Sequence, residues 1–327
     1  TRILIFFILI IIIPVLFITS LTYYKSISIV KHKVGTDIKN SITRVSDQVN
    51  FILENYMKTC NYIAAKPDIH VFLSDSQFQH DENKRSKISN LVINRLSSYR
   101  DIFNVSIYDN DGKKVFTLID NQNENYLQEI KKDMKYLKVN STAKLWKKLY
   151  LNYSDSEFFH IAMRLRDLQS TPLGYLMLDL STAPIDHIFR QTTLNTNLSI
   201  YLLDADGNYI TSVSQNDLVI SQPNLSKLQK KRSGQLSQED NNKQYYILYN
   251  TLPINGWKLV TTIPTSDYLK NTNKIFTYNA IMLIVYIMIV IALSYQLSWS
   301  VSRNLNHFKR GAERLKYGEL STVDVEK

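Results

Sequence analysis

The sequence predicts an α+β protein in which a long helix leads into two similar antiparallel-sheet modules, flanked by two transmembrane helices. Apolar residues recur every three to four positions through residues 26–65, which is helical spacing. A strand, an Asp-x-Asp-Gly turn and a second strand occur at residues 105–118 and again at 198–211. Residues 275–299 are almost wholly apolar and carry no charge, and about 20 such residues in a helix cross a bilayer.

Composition excludes several classes of function. The 327 residues carry a net charge of +10, but the basic residues form no Arg-rich stripe, so nucleic acid is not an expected partner. Cys60 is the single cysteine, which excludes an internal disulfide and a thiolate metal cage. The six histidines lack metal-ligand spacing, and no nucleophile, phosphate-binding or kinase nucleotide motif occurs. We therefore expect no catalytic residues, no metal and no cofactor in this chain.

Residues 1–24 and 275–299 are the predicted membrane helices. The first apolar run, Ile3 to Leu21, is followed by Tyr23 and Tyr24, which suit a membrane interface. A cleavable signal peptide is the alternative, but the run is long for one and no small-residue cleavage site follows it. Basic residues are frequent just after the second helix, so the C-terminal end is expected in the cytoplasm and residues 25–274 outside.

The region 25–100 is predicted to be mainly helical. Its first helix would be about 60 Å long at 1.5 Å per residue, which favours a stalk rising from the membrane. Its apolar stripe is regularly spaced and consists of Ile38, Ile42, Val45, Val49, Ile52, Tyr56 and Ile63. An ordinary amphipathic helix packed on one core would bury the same stripe, so both interpretations stay open.

Two modules, 101–182 and 183–274, follow with the same plan of about five strands each. After the first hairpin, strands are predicted at 143–151, 157–166 and 173–180, and after the second at 234–238, 244–250 and 258–263. The two Asp-x-Asp-Gly segments resemble the start of a calcium loop but lack its later ligands, so turn chemistry is favoured. A helix is expected between the modules, capped by Ser181 or Thr182, with Pro184 in its first turn.

These features together resemble a known family. Tandem PAS-like sheets after a long helix, the strand Leu173 to Leu180, and the segment Gly256 to Pro264 are similar to a double Cache sensor domain. Residues 300–327 resemble the first helix of a HAMP domain, although Asn304 stands where that family usually has proline. The opening residues resemble YesM-type sensor histidine kinases of Gram-positive bacteria.

The resemblance implies a multi-pass receptor of a bacterial cell membrane. Its extracellular domain would bind a small molecule or a ligand-loaded binding protein, and its output domain would follow Lys327. The expected output is a two-component histidine kinase acting on a response regulator. A methyl-accepting chemoreceptor, a diguanylate cyclase, or a membrane-anchored extracellular enzyme or adhesin are the alternatives. A heptad seam through Leu305, Phe308 and Leu315 predicts a homodimer.

The same resemblance suggests a ligand site in the first, membrane-distal module. Asp179 falls where amino-acid-binding members of the family carry an aspartate. Aromatic and polar groups on adjacent predicted strands complete the candidate set: Trp146, Tyr150, Tyr153 and His160. Asp179 could instead serve the following turn, and Trp146 could belong to the core. Residues 142–150 lack the arginine-containing signature of the amino-acid receptors, so a sugar or another metabolite is favoured.

Overall fold

The structure is a computed structural model, and it falls into two compact units. It describes residues 2–75, 81–97, 99–140, 142–149, 157–194, 198–214, 220–265, 277–278, 280–297, 299–301 and 303. One unit comprises residues 1–35 with 268–327, and the other comprises residues 36–267.

The described residues form six helices and ten strands, followed in the chain by the helix Ala280–Val301. The helices are α1 Arg2–Ala64, α2 Pro67–Ser74, α3 Glu82–Leu96, α4 Glu124–Val139, α5 Ala183–Thr193 and α6 Gln222–Lys230. The strands of the first module are β1 Ile102–Asp109, β2 Lys114–Thr117, β3 Lys144–Leu149, β4 Phe158–Arg166 and β5 Pro172–Ser181. Those of the second module are β6 Ser199–Leu203, β7 Tyr209–Val213, β8 Ser233–Asp240, β9 Lys243–Thr251 and β10 Lys258–Pro264.

Each module contains one five-stranded antiparallel sheet, and the two sheets have the same topology. The strand order is β2-β1-β5-β4-β3 in the first and β7-β6-β10-β9-β8 in the second. The last strand of each module is therefore central, between the first and fourth strands. The predicted α+β class and the internal repeat are confirmed.

The two hairpin turns have the same geometry. Asp109 Oδ1 accepts hydrogen bonds from the backbone N–H groups of Asp111 and Lys113 at 3.0 and 2.8 Å, and Asp204 repeats this pattern in the second module. Gly112 has a φ of +84°, which an L side chain rarely adopts. These aspartates are occupied by backbone donors, as the turn interpretation predicts.

The part of α1 that lies within the unit 36–267 buries the predicted stripe from Ile38 to Ile63. Ile52 is an exception, because it is only half-buried and its neighbour Leu53 is fully buried instead. Tyr56 Oη donates to Asp101 Oδ2 at 2.9 Å, at the start of the first module. Asn50 Oδ1 accepts from the backbone N–H of Ile254 in the second module at 3.2 Å. Within this unit the helix thus contacts both modules.

Helices α4 and α6 were not predicted from the sequence, and each covers one face of its own sheet. In α4, buried residues recur at helical spacing: Tyr126, Ile130, Met134 and Leu137. Asn123 caps this helix by accepting from the backbone N–H groups of Asn125 and Tyr126. Together with Tyr108, Phe158, Ala162, Tyr175 and Met177 of the sheet, these residues form a hydrophobic core.

Helix α5 begins after Thr182 and has Pro184 in its first turn, as predicted. The Thr182 side chain does not cap it, and instead donates to the Glu157 carbonyl at 3.1 Å and contacts Asp186. Ser181 Oγ accepts from the backbone N–H of Ala183 at 3.1 Å. Of the two predicted capping residues, Ser181 is therefore the one whose side chain accepts from a backbone N–H group of the helix.

One helix among the described residues is long and apolar enough to cross a membrane, Ala280–Val301, with a mean hydropathy of 2.4. It overlaps the second predicted span. The first predicted span is helical as the beginning of α1, and its membrane role stays a prediction. The predicted HAMP seam after Arg303 lies outside the described residues.

Candidate ligand-binding site of the first module

A row of polar side chains crosses the sheet face that α4 covers. Cα partners in adjacent strands run from Asn104 in β1 to Asp179 in β5, then to His160 in β4 and Lys147 in β3. Side chains at partnered positions lie on the same face of a sheet. Asn104, Asp179 and His160 are almost completely buried. The register of four strands therefore assembles a buried polar row.

Helix α4 contributes two buried polar residues to this row. Tyr126 Oη donates to Asp179 Oδ2 at 2.9 Å, and Asn104 Nδ2 lies 3.4 Å from the same oxygen. Asp133 Oδ2 lies 3.0 Å from His160 Nε2, close enough for an ion pair but without hydrogen-bond alignment. Positions 126 and 133 lie two turns apart, so both face the sheet.

Four buried polar atoms of the row have no hydrogen-bond partner among the described residues. They are Asp179 Oδ1, His160 Nδ1, and the two atoms that face each other, His160 Nε2 and Asp133 Oδ2. Burial raises the pKa of Asp179 above its ordinary value, against the opposing effects of His160, Tyr126 and Asn104. Burial, reinforced by the charge of Asp179, also raises the pKa of Tyr126. Unsatisfied buried polar groups are costly and uncommon, so each of these atoms calls for a partner such as a water, an ion or a ligand.

Charged residues surround a cleft of ≈ 350 Å³ beside the row, between α4 and the end of β3. Its lining includes Tyr126 and Lys147, which are themselves members of the row. Lys147 bridges Glu129 and Asp133, and Lys132 makes a second ion pair with Glu129. These bonds, first from Lys132 and then from Lys147, lower the pKa of Glu129 to about 2. Partial burial lowers the pKa of Lys147. The hydrogen bonds and charges of Glu129 and Asp133 outweigh this effect, so the pKa of Lys147 lies above its ordinary value.

The structure brings together two of the five predicted site residues. Asp179 and His160 are cross-strand partners within the buried row. Trp146 lies on the opposite face from its neighbour Lys147, and its ring meets that of Trp257 at 5.9 Å. Tyr150 and Tyr153 lie outside the described residues.

Sequence reasoning missed the partners of the row, among them Asn104, Tyr126 and Asp133. A weak signal was available, because Asn104 and Ser106 alternate with apolar residues in β1 and thus predict a polar stripe on one face. Among the described residues, no group of three or more His, Cys, Asp or Glu side chains could hold a metal ion.

Two antiparallel sheets that follow one long helix, with a buried polar row beside a cleft in the first module, define a class of ligand-binding sensor modules. The match to a family model is consistent with this class. Residues 26–272 match the Cache domain, and the chain belongs to that family. It is thus a Cache ligand-binding sensor domain followed by one candidate membrane helix. No curated protein matches the sequence.

Solved structures of low sequence identity whose TM-scores exceed 0.5 share the fold. The ligand-binding domain of the Campylobacter jejuni chemoreceptor Tlp3, in complex with 4-methylisoleucine, has 10% identity and a TM-score of 0.51, and the match covers 73% of this chain and 94% of that one. The extracellular domain of vpHK1S-Z8, described as a candidate histidine kinase, has 11% identity and a TM-score of 0.51, with coverage of 75% and 96%. A weaker match is an extracellular ligand binding receptor from Desulfohalobium retbaense, with 14% identity and a TM-score of 0.46. This match covers 68% of the present chain but only 39% of the length of that receptor.

Proposed function

We propose that this chain is the sensor portion of a bacterial transmembrane receptor. Residues 25–274 bind a small molecule outside the cell, and the second membrane helix with a HAMP domain passes the signal to a cytoplasmic output. The membership in the Cache family and the apolar helix Ala280–Val301 support this arrangement. The output we propose is a two-component histidine kinase that acts in a homodimer on a response regulator.

The observation that carries the proposal is the buried polar row of the first module. Asp179 and His160 are held by strand register at the centre of the sheet, and Asp179 Oδ1 and both ring nitrogens of His160 have no hydrogen-bond partner among the described residues. The corresponding positions of the second module carry no ionisable side chain, because the same strand register there brings together Ser199, Thr262, Ile247 and Leu236. The first module therefore offers the polar partners that a small-molecule site needs.

The row also limits the chemistry of the ligand. Asp179 Oδ1 is a hydrogen-bond acceptor when ionised, so it suits a hydroxyl or amine of the ligand. The three lysines of the cleft are neutralised in part by Glu129, Asp133 and Glu157. We propose a polar metabolite rich in hydrogen-bond donors, such as a sugar, that arrives either free or on a binding protein.

A thermal-shift screen of polar metabolites against purified residues 26–272 tests this function. We expect at least one compound to raise the melting temperature of the wild-type domain and to lose this effect in Asp179→Ala. A compound that stabilises both proteins equally would remove Asp179 from the site. A compound whose stabilising effect is lost only when the second module is altered would place the site in that module instead.

A chemoreceptor is the second candidate, because the fold is shared with a chemoreceptor domain as well as with vpHK1S-Z8. The two candidates differ in the residues that follow Lys327. A histidine-bearing dimerisation helix and nucleotide-binding motifs would support the kinase. A long heptad hairpin would support the chemoreceptor.

A further inference from the structure

Trp257 of the second module packs on the back of the strands that carry the candidate site. Its ring meets Phe159 of β4 at 5.4 Å and Trp146 of β3 at 5.9 Å, with interplanar angles of 73° and 74°. Such edge-to-face pairs are directional as well as apolar. Trp257 is 1% exposed, so its ring is packed within the interior of the protein.

The residues that contact Trp257 alternate along the chain with residues of the polar row. Phe159 precedes His160 in β4, and Trp146 precedes Lys147 in β3. Successive side chains in a strand point to opposite faces of the sheet. A tilt or shift of β3 and β4 that re-aims His160 and Lys147 must therefore also move the two aromatic rings that contact Trp257.

The backbone at Trp257 is held firmly to the second module. Its carbonyl accepts from the Leu252 N–H at 2.8 Å, and its own N–H donates to Asn255 Oδ1 at 3.1 Å. The preceding residue, Gly256, has a φ of +78°, which favours glycine. The following residues, 258–264, form β10, the central strand of the second sheet. Movement of the ring is thus transferred to β10 rather than absorbed by a loose loop.

We infer that Trp257 is the positioning residue through which the state of the first-module site reaches strand β10. The inference rests on the proposed function, since it treats the polar row as the site whose state changes. A ligand in the row shifts Lys147 and His160 on one face of the sheet. The same strands then move Trp146 and Phe159 on the other face, against Trp257. Strand β10 is the element of the second module that leads along the chain to the helix Ala280–Val301.

The test needs no ligand, because a substitution in the polar row perturbs strands β3 and β4 in place of ligand binding. Asp133→Asn removes the charge that faces His160 and Lys147. Amide hydrogen exchange of residues 257–264 is then measured in the full chain in nanodiscs. We expect exchange to change by about fivefold, since disturbing one aromatic pair alters local opening to that extent. His160→Gln serves as a second perturbation if Asp133→Asn does not fold.

Variants at Trp146 distinguish signal transfer from simple packing. In a Trp146→Leu background, Asp133→Asn should leave exchange of 257–264 within about twofold of its new baseline, because the directional contact is absent. Trp146→Phe keeps an aromatic ring and should restore the response. Glu124→Gln is the matched control, since it makes the same carboxylate-to-amide change at an exposed position of the same helix and should have no effect.

Two outcomes would overturn the inference. One is unchanged exchange of 257–264 in both Asp133→Asn and His160→Gln when the proteins are folded. The other is a response that persists in Trp146→Leu. Either result would leave the ligand screen of residues 26–272 unaffected, so the failure of this inference can be told apart from a failure of the proposed sensor function.

Discussion

The hydroxyl of Tyr126 donates a 2.9 Å hydrogen bond to Asp179 Oδ2, and this bond joins helix α4 to the central strand of the first sheet. Both residues are almost completely buried. Because the acceptor is a carboxylate in a region of low dielectric, the bond contributes more than a typical surface hydrogen bond. It also places the helix over the row that contains His160.

Removal of this hydroxyl should destabilise the domain. In Tyr126→Phe, Asp179 Oδ2 loses its shortest side-chain bond while staying buried, so we expect the free energy of unfolding to fall by roughly 1–3 kcal/mol. Urea denaturation followed by circular dichroism measures this change. The control is Tyr136→Phe, which alters a half-exposed tyrosine of the same helix and should change stability by under about 0.5 kcal/mol. Equal effects of the two substitutions would contradict the role of the Tyr126 bond.

Stability should depend on pH through Asp179. Burial raises its pKa, so the folded chain holds this proton more tightly than the unfolded chain does. The free energy of unfolding should therefore decrease as pH rises from about 4 through the raised pKa. Asp179→Asn should remove this decrease, and thermal melts of both proteins across pH measure the difference. Parallel pH profiles would show that Asp179 titrates alike in the folded and unfolded chains.

Glu129 provides a comparison of opposite sign. Lys132 and Lys147 lower its pKa to about 2, so its contribution is present above about pH 4 and is lost as pH falls toward 2. In Glu129→Gln, the free energy of unfolding should no longer include the decrease that Glu129 causes as pH falls from about 4 toward 2. The effect should be small and reduced by salt, because the side chain is partly exposed.

The proposed topology can be tested by cysteine labelling of intact cells. A cysteine at Asn110 should react with an impermeant maleimide, and one at Arg310 should react only after lysis, because basic residues flank the cytoplasmic end. Cys60 should give little background, because it is buried and burial raises its thiol pKa to about 12. Equal labelling of both sites from outside would refute the topology.

The proposed homodimer can be tested at the predicted HAMP seam. Val301, Leu305, Phe308, Ala312 and Leu315 have the spacing of a heptad seam. A cysteine at Phe308 should form a disulfide between two chains in membranes, whereas a cysteine at Lys309 should not, because it falls one residue outside the seam. Similar cross-linking at both positions would argue against a packed seam.

Local features of the fold could be predicted from the sequence because short-range physics determines them. The turns at Asp109 and Asp204 depend on a side chain bonding to backbone groups two and four residues further on. Strand alternation and the proline in the first turn of α5 act over similarly short distances. The repeat then allowed the second module to be inferred from the first.

Tertiary structure alone decided which residues form the candidate site. Asp179 meets Tyr126, which lies 53 positions away, and His160 meets Asp133 only because α4 folds back over the sheet. The sequence placed Trp146 among the ligand-binding candidates, but strand register puts its ring on the opposite face, against Trp257. A shift of one residue in a strand exchanges its two faces, and pairing over long sequence distances sets that register. The composition and periodicity of this chain thus determined its long helix, its strands and its class, while the pairing of strands and the docking of α4 determined the polar row.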